Sequence, residues 1–269
     1  GTLLPAGSVS LMYFADRINQ LPLGVLGAAA GTTLLPVLTR HVAAGDHDGA
    51  HAAQNRSIEY VLLLTLPAVA GILVLADPIM VVLFGHGSFT EHDAMLSAQS
   101  LRAYAIGLPA FVLVKVLAPA FFARGDTRTP VVIGIGILVV NLLLNLAFMK
   151  PLAHVGPPLA SSLAAVLNVA SLALILRIRA VLHVPRPFLA RMGLVGLAAL
   201  GMAFGVGAAA WALPFPAHIV SRLFWLGLLV VGGGALYLLL LCLMGIVHWQ
   251  QVASVPGRLK KRGGRAKGA

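Results

Sequence analysis

Ser8–Arg40, SVSLMYFADRINQLPLGVLGAAAGTTLLPVLTR, is the stretch of sequence that decides the fold, because it is long enough to span a membrane and carries Arg17 in its interior. A charge at the centre of a membrane helix costs at least about 2.5–3.5 kcal/mol, so such a residue is usually retained for a function. The stretch therefore predicts a transmembrane helix with a functional arginine.

Composition extends this conclusion to the whole chain of 269 residues, which is 59% hydrophobic and only 10% charged. A soluble domain carries about 25% charged residues, so we expect an all-α, polytopic membrane protein. The net charge of +11 does not indicate nucleic-acid binding, because the basic residues cluster beside apolar segments, where they attract anionic lipid headgroups. The single cysteine, Cys242, excludes a disulfide framework within the chain.

Seven segments are apolar enough to cross a bilayer, some with a polar interruption. Fourteen of the 19 Lys and Arg residues fall on one side of them, and the positive-inside rule makes that side cytoplasmic. The chain would then begin outside and end inside the cell. The predicted spans are Ser8–Thr39, Ile58–Ala76, Leu96–Phe122, Pro130–Met149, Val155–Leu176, Met192–Leu213 and Leu223–Val247.

The breaks between spans have readable signals. We expect a short surface helix in Arg40–Arg56, an interfacial elbow in Asp77–Asp93, and a helix start with Thr129 as N-cap and Pro130 in the first turn. Arg177–Arg191 is the best linker. It divides the chain into a five-helix bundle (1–180), a final two-helix pair (181–250) and a basic cytoplasmic tail (251–269). Because the sequence begins with Gly1 and not with Met, we expect the chain to be a piece of a longer protein.

Arg17 belongs to a polar group on one side of the first helix, together with Tyr13, Asp16 and Gln20 at i+3 and i+4 spacing. Adjacent helical residues point about 100° apart, so Asp16 is poorly placed to neutralise Arg17. One interpretation is an arginine that faces a water-filled cavity and binds a phosphate or pyrophosphate through its planar fork. The alternative is a structural ion pair with another helix.

Lys115 is the second interior charge, in FVLVKVLAP. Its long side chain could reach the cytoplasmic headgroups, or it could face the same cavity as Arg17, and the sequence does not separate the two.

Asn141 and Asn145 lie at i,i+4 on one helix, and Ser161 and Ser162 open the next. Their oxygens suit a weakly held Na⁺, although such residues more often join helices by hydrogen bonds. The nine histidines have no metal-ligand spacing, and there is no Walker A loop or nucleophile elbow. The sequence therefore favours a transporter over an enzyme, with no cofactor beyond possible coupling to Na⁺ or the membrane potential.

Three stretches closely resemble the MurJ/MviN family of bacterial lipid II flippases, within the multidrug/oligosaccharidyl-lipid/polysaccharide exporter superfamily. They are Tyr13–Arg40, Leu108–Pro130 and His154–Val169, and the specific likeness ends near Ile178. The resemblance implies a fourteen-helix parent in the bacterial inner membrane. This chain would be its C-terminal half, one lobe of an inverted V, with the missing N-terminal half as partner and lipid II, a peptidoglycan precursor, as substrate.

The resemblance also implies roles for individual residues. Arg17, in the family's ADR motif, would help bind the lipid-linked pyrophosphate in a central cationic cavity, and family members carry Glu or Gln where this chain has Gln20. The last two helices would form a groove for the polyprenyl tail. The family's Na⁺ site would include Asn141, Asn145 and Ser161, but its seventh-helix part is absent here. The fragment alone should not transport.

Two other functions remain possible at this point. One is transport of another polyprenyl-pyrophosphate sugar or of drugs in the same superfamily; an antiporter would need an essential intramembrane carboxylate, for which Asp16 is the only deep candidate. The other is a non-transporting scaffold for cell-wall synthesis proteins, which would tolerate Arg17→Ala.

Overall fold

The computed structural model describes residues 7–87, 89–216 and 218–246, and they form an all-helical protein with no strand in those ranges. Each predicted span corresponds to one long helix, in the predicted order. A 3₁₀ turn, Ala153–Val155, joins the fourth and fifth. The helices are α1 Ser8–Ala43, α2 His47–Phe84, α3 Glu91–Phe122, α4 Arg128–Leu152, α5 Gly156–Ile178, α6 Arg186–Ala212 and α7 Ile219–Leu243.

Four of these helices and one helical stretch qualify as membrane spans by length and hydropathy. They are α2, α3, α6, α7 and the stretch Arg128–Ile178, which contains both α4 and α5. The chain is therefore a multi-pass membrane protein. The predicted basic tail, 251–269, lies outside the described residues.

Helix α3 is the centre of the bundle and packs against α1, α2 and α5, while α4 packs mainly on α5. Helices α6 and α7 pack on each other and meet the other helices through α2. Helices α3 and α5 approach closely at Gly107, where a Cβ atom would lie only 2.5 Å from Ser162 Oγ. Ser162 Oγ donates to the Ala103 carbonyl at 2.6 Å, so the missing side chain makes room for a hydrogen bond between helices.

The prediction of a separate short surface helix in Arg40–Arg56 is wrong. Helix α1 continues to Ala43, three residues form a turn, and α2 begins at His47 with the Asp46 carboxylate accepting from Gly49 N at 2.8 Å. The Ala-rich polar sequence is helical, as predicted, but it extends the two membrane helices. Because those helices are longer than a bilayer is thick, their polar ends project beyond it.

The prediction of an interfacial elbow in Asp77–Asp93 is also wrong. Helix α2 continues to Phe84 through Pro78, and only residues 85–90 connect it to α3. Thr90 begins α3 with a capping box, in which its side chain and Asp93 satisfy each other's backbone N–H groups. The sequence contains the capping signal, Thr90 and Asp93. The apolar run before it is too short to span a membrane, so the sequence did not identify that run as the end of a long helix.

The start of α4 differs by two residues from the prediction. Thr127 occupies the N-cap position, and the side chain that accepts is that of Asp126, whose Oδ1 lies 2.9 Å from Thr129 N. Pro130 lies in the first turn, as predicted. The predicted linker, Arg177–Arg191, contracts to residues 179–185, because α5 and α6 extend into it from both sides.

Candidate functional site

Arg17 lies on the exposed side of α1, where its guanidinium meets the tyrosine one turn earlier. Arg17 Nη2 donates to Tyr13 Oη at 2.7 Å, and the guanidinium carbon lies 4.7 Å from the centre of the Tyr13 ring. Within residues 7–87, 89–216 and 218–246, no carboxylate forms a salt bridge with Arg17. A tyrosine orients the guanidinium without neutralising it, so its charge is available to an anion.

Asp16 has a different partner from Arg17, as their angular separation predicted. The Gln20 side-chain amide donates to Asp16 Oδ2, again one helical turn apart. Two i,i+4 pairs therefore run side by side along α1. The Asp16 side chain is half-buried, whereas the side chains of Arg17 and Gln20 are exposed.

The inner side of the same helix carries a polar residue that sequence reasoning missed. Asn19 is only 2% exposed, and its Oδ1 atom is buried with no hydrogen-bond partner in the described structure. It follows Leu11 and Ala15 at i+4 spacing on the packed side, and that spacing was the available signal. Ser97 Oγ anchors this side to α3 by donating to the Leu11 carbonyl at 2.6 Å.

Lys115 also approaches α1, but not at Arg17. A Cβ atom on Gly27 would lie 2.6 Å from Lys115 Nζ, so the ammonium group rests against the α1 backbone at that glycine. Gly27 follows Arg17 by ten residues, about 15 Å along a helix. The structure therefore places two positive charges at different depths along α1 and does not join them into one cluster.

Asn141 and Asn145 contact each other on α4. Asn145 Nδ2 donates to the Asn141 backbone carbonyl at 2.8 Å and to Asn141 Oδ1. Ser162 is committed to the α3 backbone, and Ser161 is half-buried beside it on α5. Within the described part of the chain, no group of three or more His, Cys, Asp or Glu residues could hold a metal ion. That result does not test the proposed oxygen ligands, so the Na⁺ site stays a prediction.

Sequence reasoning also missed a bidentate ion pair. Arg102 on α3 donates to both carboxylate oxygens of Asp77 on α2, at 3.0 and 2.6 Å, and its Nε donates to the Leu73 carbonyl at 3.1 Å. Arg102 lies near the start of the predicted span Leu96–Phe122, and Asp77 is the first residue of the predicted elbow. The prediction therefore placed the two residues in separate elements. The pair neutralises both charges, so Arg102 is not available to a ligand in the way that Arg17 is.

An apolar cavity of about 370 Å³ opens beside the Arg17 site, between α1, α2, α6 and α7. On α1 its wall is made by Ile18, Leu21 and Pro22, which are neighbours of Arg17 and Gln20 in sequence. On α7 the wall includes Gly233 and Gly234, whose lack of side chains widens the cavity. A polar site and a long apolar groove are thus adjacent on α1, an arrangement that suits an amphiphilic ligand with an anionic head.

Comparison with known proteins gives one consistent family. The family model described as lipid II flippase MurJ matches residues 2–229. The probable lipid II flippase MurJ of Vibrio cholerae is 38% identical over 253 residues, which cover 91% of this chain and 47% of that protein. The corresponding Haemophilus influenzae protein is 36% identical over 257 residues, with 91% and 49% covered.

The same likeness holds for the fold. A solved structure described as lipid II flippase MurJ in an inward closed conformation superposes with a TM-score of 0.72 at 24% identity, covering 88% of this chain and 47% of that one. The chain spans about half the length of the curated relatives it matches.

Proposed function

The chain belongs to the lipid II flippase MurJ family, and we propose that it forms one lobe of a transporter that moves lipid II across the bacterial inner membrane. The other lobe would come from sequence outside this chain, since the relatives are about twice as long. The two lobes would rock against each other and expose a cavity between them to each side in turn. The fragment would bind substrate but would not transport it alone.

The observation that carries this proposal is the state of Arg17, a charge that is exposed on an apolar helix and has no carboxylate partner in the described structure. A guanidinium donates two parallel hydrogen bonds to a phosphate, and Tyr13 holds it in place on one side. We assign to Arg17 the binding of the pyrophosphate, with Asp16 and Gln20 beside it. Lys115 would contact a different part of the substrate, about 15 Å further along α1.

The polyprenyl tail would lie in the apolar cavity between α1, α2 and the α6–α7 pair. Its lining residues Ile18 and Leu21 lie within about one turn of Arg17, so a ligand with its head at Arg17 can place its tail there. A photoreactive residue at Val230, which lines the cavity on α7, should crosslink to a polyprenyl lipid. Crosslinks to bulk phospholipid alone would contradict the groove.

Growth of a strain depleted of its lipid II flippase tests the proposal. The test protein is a chimaera in which this chain replaces the matched segment of the Vibrio cholerae relative. We expect it to support growth, and Arg17→Ala to abolish growth at normal protein abundance. Arg17→Lys should fail nearly as badly, because an ammonium group lacks the planar fork. Arg40→Ala is the matched control, an exposed arginine on the same helix that should leave growth unchanged.

The outcomes separate transport from other roles. Growth with Arg17→Lys but low abundance of Arg17→Ala would make Arg17 a structural residue. Normal growth with both variants would contradict the flippase proposal and favour a scaffold.

We further propose that the turn at residues 85–90 is periplasmic and that the chain ends in the cytoplasm, because fourteen of its basic residues lie on the opposite side from that turn. In a Cys242→Ser background, an impermeant thiol reagent should label His86→Cys in intact cells and should not label His47→Cys. The reverse pattern would overturn the orientation.

Asn141, Asn145 and Ser161 are proposed as part of a Na⁺ site that residues outside this chain complete. Support comes from the oxygen-rich contact of the two asparagines on α4. In the chimaera, replacing NaCl by choline chloride should lower the unfolding temperature, and Asn145→Leu should remove that difference. An equal Na⁺ effect in the variant would contradict the assignment.

A further inference from the structure

A second cavity, of about 430 Å³, lies between the end of α1 and the start of α2, at the side of the molecule assigned above to the cytoplasm. It is far from Arg17 along α1 and shares no lining residue with the apolar groove. Its wall is apolar on one part and polar on another. The residues that define it are Leu34, Val37, His41, Ala52, Arg56 and Ser57.

The depth of Arg56 follows from the length of its helix. The 38 residues of α2 extend about 57 Å, and a hydrocarbon core is about 30 Å thick, so a centred helix projects about 13 Å at each end. Arg56 follows the first residue of α2 by nine positions, which is also about 13 Å. Its guanidinium therefore lies where the hydrocarbon ends and the lipid phosphates begin.

The carboxylates of Asp46 and Glu59, which lie near the cavity, have partners other than Arg56. Asp46 accepts from Gly49 N at 2.8 Å and from His41 at 2.7 Å, contacts that hold its pKa below the usual range and keep it ionised. Glu59, one turn after Arg56, pairs instead with Arg191 of α6 at 3.2 Å. In the described part of the chain Arg56 has neither a salt bridge nor a hydrogen bond from its side chain. Its charge is therefore left for an anion from outside the protein.

The apolar part of the wall favours a lipid phosphate over a free phosphate ion. Val37 is half-buried and Ala52 is exposed, so a free phosphate ion would leave both in contact with water, whereas the glycerol and first methylenes of a lipid would cover them. We propose that this cavity binds the phosphate group of a phospholipid from the cytoplasmic leaflet, with Arg56 donating two hydrogen bonds to it. This site rests on the orientation proposed above but not on the transport of lipid II, because it uses neither Arg17 nor the groove beside α7.

Binding measured by native mass spectrometry, on the full chain in a neutral detergent, tests the site. The probes are dioleoyl phosphatidylglycerol, dioleoylglycerol, which has the same tails without a phosphate, and inorganic phosphate. We expect one molecule of phosphatidylglycerol to be retained in preference to the other two. Arg56→Gln should weaken its binding about tenfold, the effect of losing a charge-assisted hydrogen-bonded contact.

Two further variants make the test specific. Arg40→Gln removes the same charge from the same end of the molecule but outside the cavity wall, so it should change binding less than twofold. Ala52→Leu fills the cavity without altering charge and should weaken binding as Arg56→Gln does. Equal effects of Arg40→Gln and Arg56→Gln would reduce the site to general surface charge and overturn the proposal. The proposal would also be overturned if dioleoylglycerol were retained as well as phosphatidylglycerol, or if inorganic phosphate displaced the bound phosphatidylglycerol.

Discussion

The five-helix bundle and the α6–α7 pair both have buried apolar contacts, but they differ in the polar bonds between their helices. In the bundle, buried polar side chains cross from one helix to the backbone of another: Gln54 donates to the Val116 carbonyl at 2.9 Å, and Ser97 and Ser162 form similar bonds. Between α6 and α7 the contacts are apolar and close, as at Gly205, where a Cβ atom would lie 2.5 Å from a Leu236 methyl group.

The pair is attached to α2 by a buried apolar cluster and to the bundle by only a few polar contacts. Tyr237 Oη on α7 donates to the Leu63 carbonyl on α2 at 2.8 Å. Arg222 pairs with Glu91 at 2.6 Å at one end, and Arg191 pairs with Glu59 at 3.2 Å at the other. The interior of the bundle is therefore crossed by polar bonds, whereas the pair rests mainly on the apolar side of α2. The groove proposed for the lipid tail lies between this pair and α1.

The largest expected effect comes from overpacking the bundle. Gly107→Val would place side-chain atoms against the Ser162 backbone, whose Cα would lie 2.6 Å from the new Cβ, and we expect a loss of about 3 kcal/mol of unfolding free energy. Gly227→Val on α7 is the control, because nothing lies within 4 Å of a Cβ at that position. Thermal unfolding in detergent compares them. Equal stability of the two variants would mean that α3 and α5 are not closely packed.

A smaller effect is expected from the central attachment of the pair. Tyr237→Phe removes the hydrogen bond to Leu63 but keeps the ring, so the unfolding free energy should fall by about 1 kcal/mol. Hydrogen exchange should increase in α6 and α7 and stay unchanged in α3. Faster exchange in α3 as well would show that bundle and pair unfold as one unit, contrary to the comparison.

The ion pair between Arg222 and Glu91 should matter less to stability, and its contribution should depend on salt. Arg222 is held by Glu91, by the Pro216 carbonyl at 2.9 Å and by the Phe215 ring, and Glu91 is largely exposed. Glu91→Gln should therefore cost about 0.5 kcal/mol at low salt and less as salt screens the charges. A cost that stays the same from low to high salt would identify a packing effect instead.

The smallest effect concerns Asp126, between α3 and α4, at low pH. Hydrogen bonds from Thr129, and then from Arg179, hold the pKa of Asp126 well below its unperturbed 3.8. A carboxylate with a lowered folded pKa stabilises the protein above the unfolded value and loses that contribution as the pH falls. The stability difference between the chain and Asp126→Asn should thus be constant above about pH 5 and shrink below pH 3.8. A constant difference down to pH 3 would contradict the role of Asp126.

Much of the helical arrangement could be predicted because hydropathy and helical spacing are local properties. The order of seven helices and the separate directions of Asp16 and Arg17 follow from a few consecutive turns. The ends of α1 and α2 were predicted less well. Their polar extensions continue a helix beyond the bilayer, and hydropathy alone marks only the part inside it.

The sequence by itself determined the class of protein, the number and order of its helices and the residue whose charge needs an explanation. Only the tertiary structure decided which charges are already satisfied. Arg102 and Arg17 are both arginines in apolar helices, yet Asp77, 25 residues away in sequence, neutralises the first and no described carboxylate reaches the second. The physical reason is that an ion pair depends on distances between helices, which no periodicity within one helix contains.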